Sequence, residues 1–173
     1  LEVFDEHIIP FMTEGLKLVV KPRIQEMQVL NKRTSVRNQL LGTVISIKPR
    51  AYHGEVMLTL KGGDPVLAIL TLESIKKLGL TEGSQAHILI RAPHLIFVTT
   101  NSKLKFSAAN CLCGTVIGLN CTRLNSEIIL ELKGGEILKG VIPQEAIDDL
   151  GIKIGEPLCG VFKATNVILA VEE

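Results

Sequence analysis

A chain of 173 residues, 46% of them apolar, holds enough hydrophobic material for one domain or two small ones with a real core. Its 19 basic and 18 acidic residues nearly cancel, so it lacks the basic surplus of a nucleic-acid-binding surface, and no apolar run reaches the length of a membrane span. Aromatic residues are only 3%, which leaves Leu, Ile and Val to build the core and few rings on which bases could stack.

The chain opens on Leu1 rather than Met and is expected to be a fragment or to lack its start. Residues 1–31 mix polar and apolar positions and are interrupted by Pro10, Gly15 and Pro22. Leu16, Val19 and Val20 share a helical spacing, as do Ile24, Met27 and Leu30. One or two short helices are expected here, forming a connector that packs on something else because they are too few to make a core.

Residues 34–43, TSVRNQLLGT, place Ser35, Arg37 and Asn38 within four positions and contain no carboxylate. An apolar stretch from Leu40 follows at once. A donor-rich loop entering a buried strand can hold an anion against a rigid scaffold. Strands are expected at 42–48, 55–60 and 66–70, rich in Val, Ile, Leu and Thr, with Lys61-Gly62-Gly63-Asp64 turning between the second and third. A short helix follows, capped by Thr71, with Leu72, Ile75 and Leu78 on one face and Gly79 as its stop. Residues 85–91 and 95–99 complete five strands, broken by Ala92-Pro93. Five strands with one short helix after the third predict a small OB-like barrel, so the fold class is mainly β.

The pattern then repeats without a gap. Ser35 falls on Ser107, Asn38 on Asn110, Gly42-Thr43-Val44 on Gly114-Thr115-Val116, and Lys61-Gly62-Gly63 on Lys133-Gly134-Gly135. Leu78-Gly79 falls on Leu150-Gly151, Gly83 on Gly155 and Ala92 on Ala164. The expected organisation is a helical connector at 1–31, a first barrel at 32–102 and a second at 103–173. Turn residues and apolar positions match between the copies, but the donors do not. Arg37 becomes Ala109, Thr71 becomes Pro143 and Ser74 becomes Ala146, leaving Ser107 and Lys163. Donors needed only for the fold would be kept in both copies, so the first repeat is expected to carry a site that the second has largely given up.

Thr71 and Ser74 lie three residues apart at a helix start, where hydroxyls face one way and backbone N–H groups are free. Arg91 ends a strand, and Pro93 holds Ala92 out of helical geometry. The set comprises two guanidiniums, three hydroxyls and several backbone N–H groups with no acid among them. It suits a tetrahedral dianion that accepts hydrogen bonds and donates none.

The cysteines, Cys111, Cys113, Cys121 and Cys159, are expected to be reduced and mostly buried, in a chain with no signal peptide. The spacing Cys111-Leu112-Cys113 is short, and no His or second Cys pair completes a tetrahedral site, so no metal cluster is expected. No nucleophile–base pairing and no cluster of carboxylates is visible, and an enzyme is not expected.

TSVRNQLLGT resembles the S-A-R-N-Q motif of molybdate-binding Mop domains, with Val36 where Ala is usual. ILIRAPHL resembles the L-L-K-A-P-W segment of the ModE family of molybdate-responsive transcriptional regulators, with Arg91 for Lys and His94 for Trp, and LTLESIKKLGL is similar to that family's helix segment. Residues 13–18, TEGLKL, resemble the end of its winged-helix region; a complete winged helix is not in this chain. The resemblance covers residues 34–173 as a tandem pair of Mop domains. It implies that Ser35, Arg37, Thr71, Ser74, Arg91 and Ala92 hold molybdate or tungstate as an oxyanion, with no direct metal ligands. It also implies a homodimer with each site between first repeats of two subunits. Arg91 is a planar fork where the family has a compact ammonium, which changes the size of the site. The expected function is the cytoplasmic effector-sensing region of a molybdate-dependent transcription regulator, touching DNA only through an N-terminal winged helix and no membrane. The alternative is a cytoplasmic tandem molbindin that stores or buffers oxyanion.

Overall fold

The computed structural model describes residues 17–18, 36–101 and 103–173. The expected helices over 1–31 lie outside the described residues except at Lys17–Leu18, which correct that reading locally. These two residues form a strand, β1, paired antiparallel with Leu119 and Gly118.

The first repeat contributes β2 (Asn38–Pro49), β3 (His53–Leu60), β4 (Pro65–Thr71), helix α1 (Leu72–Lys77), β5 (Gln85–Ile90) and β6 (Ile96–Val98). The second contributes β7 (Asn110–Cys121), β8 (Asn125–Leu132), β9 (Ile137–Pro143), helix α2 (Gln144–Asp149), β10 (Pro157–Phe162) and β11 (Ile168–Ala170). Alternation along β2 sends Leu40 and Val44 into the core, and a bulge between Val44 and Ser46 bends the strand; β7 bulges at the matching point, between Val116 and Gly118. The bend lets each long strand ladder with one neighbour at its start and another along its end. Both helices stop in the same way. Gly79, at φ +62°, donates to Lys76 O while Leu80 donates to Ile75 O, and Gly151 with Ile152 repeats the arrangement. A side chain at either glycine would be strained in that left-handed backbone.

The sheets do not follow the sequence units 32–102 and 103–173. The strand order of the first sheet is β11-β5-β2-β3-β4, and that of the second is β6-β10-β7-β8-β9, with β1 added beside β7. Each repeat therefore lends its last strand to the other: Ile96, Phe97 and Val98 pair with Val161, Gly160 and Cys159, while Ile168, Leu169 and Ala170 pair with Leu89, Ile88 and His87. One continuous hydrophobic core runs through both repeats. Phe97 lies where a Cβ on Gly140 would overlap its ring. At the equivalent positions the pair is Leu169 and Ala68, so a larger strand residue accompanies a smaller partner position.

The expectation of reduced, mostly buried cysteines is corrected. Cys113 and Cys159 form a disulfide, and Cys111 and Cys121 are exposed; only Cys159 is buried. Leu112 points into the core, so its neighbours Cys111 and Cys113 point away from it, and register places Cys113 directly opposite Cys159. Partial burial pushes the Cys111 thiol above its ordinary value.

Candidate functional site

The donor set begins where β2 begins. Asn38 is fully buried, and its side chain is occupied: Nδ2 donates to Lys139 O at 2.7 Å, and Lys139 N donates to Oδ1 at 2.6 Å. Asn110 does the same to Leu67, at 2.8 and 2.7 Å. The two amides thus imitate a stretch of strand ladder across the seam between repeats. A buried amide left unpaired would cost about 1–3 kcal/mol, which explains why Asn is kept in both copies. Asn38 is a joint of the scaffold, and its presence in both copies was the signal that pointed away from the ligand.

Arg37, one residue earlier, is exposed and reaches across the same seam to Glu127 of β8, with Nη1 3.0 Å from Oε2. The carboxylate-free set read from sequence therefore gains an acid from the other repeat, because β9 lies beside the start of β2 and Glu127 stands next to it on β8. With the arginine side chain 61% exposed, this pair contributes little to stability, and an anion can displace it.

Thr71 caps α1: its Oγ1 accepts from Ser74 N at 3.1 Å and its hydroxyl donates to Ser74 Oγ at 2.8 Å. The Ser74 hydroxyl keeps its own hydrogen to donate outwards. In the second repeat Pro143 occupies the cap position and makes no side-chain cap bond. The expectation that Pro93 holds Ala92 out of helical geometry is corrected: Ala92 opens a 3-10 turn, Ala92–His94, whose early proline needs no N–H partner, and the extended residue is the exposed Arg91 before it, while Ala92 is buried against β9. Lys163 and Ala164 hold the same places before and within the turn Ala164–Asn166.

Register determines which of these residues meet. Asn38 stands opposite Ile90, so Arg37 and Arg91 flank one end of the first sheet. Thr71 stands opposite His53, beyond the pair Pro49 and Gly54, at the other end. Within one chain the structure brings Arg37 to Arg91 and Thr71 to Ser74, but leaves the two pairs at opposite ends. Ser35 lies outside the described residues.

A cleft of about 620 Å³ opens beside Arg37 at the seam. Gln39, Thr43 and Gln85 line it from the first sheet, Thr59 and Lys61 from the end of β3, and Glu136 and Lys139 from the second repeat. Both carboxylate oxygens of Glu136 are buried with no hydrogen-bond partner among the described residues. Of the expected site residues the cleft includes Arg37 alone. Lys61, Lys139 and Glu127 were missed from sequence, since nothing local ties them to Arg37.

Residues 34–97 match the family model described as the TOBE domain. The chain is similar to the molybdenum-pterin-binding protein MopA of Rhodobacter capsulatus, 35% identical over 142 residues, which make up 82% of this chain and 54% of that protein. It is similar to the molybdenum transport protein ModE of Azotobacter vinelandii, 30% identical over 175 residues, or 99% of this chain and 64% of that protein. The chain spans about half to two thirds of the length of these relatives. Among solved structures it is similar to that of the cytoplasmic molybdate-binding protein ModG with molybdate bound, with a TM-score of 0.78 and 38% identity over 82% of this chain and 100% of that one.

Proposed function

The chain belongs to the Mop-type family of molybdate-binding proteins, and from that premise we propose that its first repeat contributes an oxyanion site for molybdate or tungstate, made by Ser35, Arg37, Thr71, Ser74, Arg91 and Ala92. The observation that carries this reading is the difference between two copies of one scaffold. The asparagine clips, the glycine-ended helix C-termini and the turns recur in both, whereas Arg37, the Thr71 hydroxyl and the Ser74 hydroxyl occur in the first alone. The protein acts by binding, without a catalytic step.

The separation of Arg37 and Arg91 from Thr71 and Ser74 supports a homodimer in which the first repeat of a second copy completes each site. An anion bridging two chains then tightens the dimer by mass action. Sedimentation with and without molybdate tests this: association should strengthen with ligand, and a monomer binding molybdate at full affinity would overturn it. Calorimetry tests the ligand. Molybdate and tungstate should bind with similar affinity. Sulfate should bind far more weakly because it is smaller, and phosphate because its protonated form presents a donor to donors. Sulfate binding as tightly as molybdate would refute the assignment.

In the cell this region serves as the effector sensor of a molybdate-dependent transcription regulator in the cytoplasm, with DNA held by a winged-helix domain of the full-length protein. Support comes from the similarity to ModE, which extends over 99% of the chain and so includes residues before the first repeat. The alternative, a storage molbindin, is favoured by the match to all of ModG. The full-length reading frame separates the two: a winged helix upstream of Leu1 supports the sensor, and its absence supports storage.

A further inference from the structure

The second repeat carries a group of side chains that the oxyanion reading does not use. Cys111 and Cys113 occupy successive outward positions on β7, and Cys159 faces Cys113 from β10. The three sulfurs lie within 4.8 Å of one another, with Cys111 Sγ 3.9 Å from Cys113 Sγ. Nothing in the repeated fold requires thiols there, because the equivalent positions in the first repeat are Gln39, Leu41 and His87. The cluster is therefore particular to one copy, as the donors around Arg37 are to the other. The short Cys111-Leu112-Cys113 spacing concealed it, since the third sulfur arrives through strand pairing from 46 residues away.

The dimensions suit a metal. Three metal–thiolate bonds of about 2.3 Å in a plane place their sulfurs about 4.0 Å apart. Cys111 and Cys113 already stand at that spacing, and Cys159 reaches it once its bond to Cys113 is opened. The donor set is sulfur alone, and no His, Asp or Glu joins the group among the described residues. Soft thiolates select monovalent copper or zinc, and structural zinc takes four protein ligands. Three sulfurs with no fourth ligand among the described residues favour copper.

We propose that Cys111, Cys113 and Cys159, in the reduced chain, form a trithiolate site for Cu(I), and that the Cys113–Cys159 disulfide closes this site when a small-molecule disulfide takes two electrons and two protons from the metal-free thiols and leaves as its thiol form. In the opening step a dithiol reductant supplies two electrons and two protons to the S–S bond and leaves as its own disulfide. Cu(I) then replaces thiol protons, which pass to solvent, and no change in copper oxidation state is involved. In the oxidised chain two of the three sulfurs are bonded to each other, and Cys111 alone does not hold the ion. The proposal is independent of the oxyanion reading and concerns the opposite repeat.

The test uses the full chain without oxyanion. Thiol counting on the oxidised protein should find two free thiols, Cys111 and Cys121, and after dithiol reduction and desalting all four cysteines should react. Cu(I) is then titrated anaerobically against a chromophoric chelator. The reduced chain should take one ion with ultraviolet thiolate-to-copper absorption, and the oxidised chain should take none. Cys111→Ser, an exposed substitution that leaves the core untouched, should weaken binding by more than the 10–100-fold typical of losing a residue behind the ligands. Cys121→Ser should leave it unchanged. Equal copper affinity in oxidised and reduced chains, or full affinity in Cys111→Ser, would overturn the proposal. Preferential uptake of zinc over copper would overturn the choice of metal.

Discussion

The two repeats are the same scaffold carrying different side chains at a few matched positions. Both bulge at the same point of their first long strand, end their helix on the same glycine and clip the partner repeat with a buried asparagine. They differ outside that shared framework. The first has Arg37, Thr71 and Ser74 where the second has Ala109, Pro143 and Ala146, and the second has three clustered cysteines where the first has Gln39, Leu41 and His87. Duplication followed by exchange of the last strand lets the core be shared while each surface diverges. Side chains found in one copy alone are thereby marked as candidates for chemistry, whereas recurrence, as for Asn38 and Asn110 or Ser35 and Ser107, does not by itself separate a structural role from a binding one.

The comparison breaks first if the core is not shared. Phe97→Ala should destabilise the whole molecule by about 3–5 kcal/mol, the usual cost of emptying a buried aromatic site, although Phe97 belongs to one repeat and packs in the sheet of the other. Leu169→Ala should act in the same way by about 2–5 kcal/mol. Urea unfolding followed by fluorescence-independent circular dichroism should show one transition for each variant; two separate transitions would mean that the repeats fold as independent barrels.

The shared joints should be equivalent. Asn38→Ala and Asn110→Ala each strand a backbone N–H and C=O at the seam, at Lys139 and at Leu67. Each is expected to cost about 1–3 kcal/mol in unfolding free energy. A large difference between the two would show that the seam is not symmetric.

The residues proposed to bind oxyanion should be unequal to their counterparts. Arg37→Ala should weaken molybdate binding by about 1.5–3 kcal/mol, the worth of a hydrogen bond to a charged group, and barely alter stability. Lys163→Ala in the second repeat should change molybdate binding far less, and Glu127→Gln should strengthen it by releasing Arg37. Isothermal titration of the three variants gives the order; equal losses for Arg37→Ala and Lys163→Ala would contradict the divergence of the copies.

The smallest effect sharpens the comparison at the helices. Thr71→Ala removes a cap bond and should cost about 1 kcal/mol of stability, in addition to weakening the oxyanion. Pro143→Ala removes no such bond in α2 and should lie within about 0.5 kcal/mol of the parent. Thermal unfolding distinguishes them.

Much of the fold was legible because it depends on neighbours in sequence. Alternating Val, Ile and Leu marked the strands to within a few residues, Thr71 and Gly79 marked the ends of α1, and the gap-free repeat marked the duplication. The donors of the candidate site were legible one by one for the same reason: an arginine before a strand or a hydroxyl at a helix start is a local fact. Lys17–Leu18 was misread because a spacing compatible with a helix is also compatible with a short edge strand. What local pattern cannot encode is which partner a segment finds.

Strand type, turn chemistry and the presence of two copies were settled by sequence alone, since backbone preference and the periodicity of apolar side chains act over a few residues. Tertiary structure alone decided that β6 and β11 change sheets, because strands of three residues carry little local information about their partner; in the exchanged arrangement Phe97 packs where Gly140 lacks a side chain. It also decided that Glu127 meets Arg37, that Cys159 meets Cys113, and that Thr71 stands at the far end of the sheet from Arg91. These are consequences of register, and register is fixed by the whole core at once, where a slip of one residue would turn every buried side chain to the wrong face.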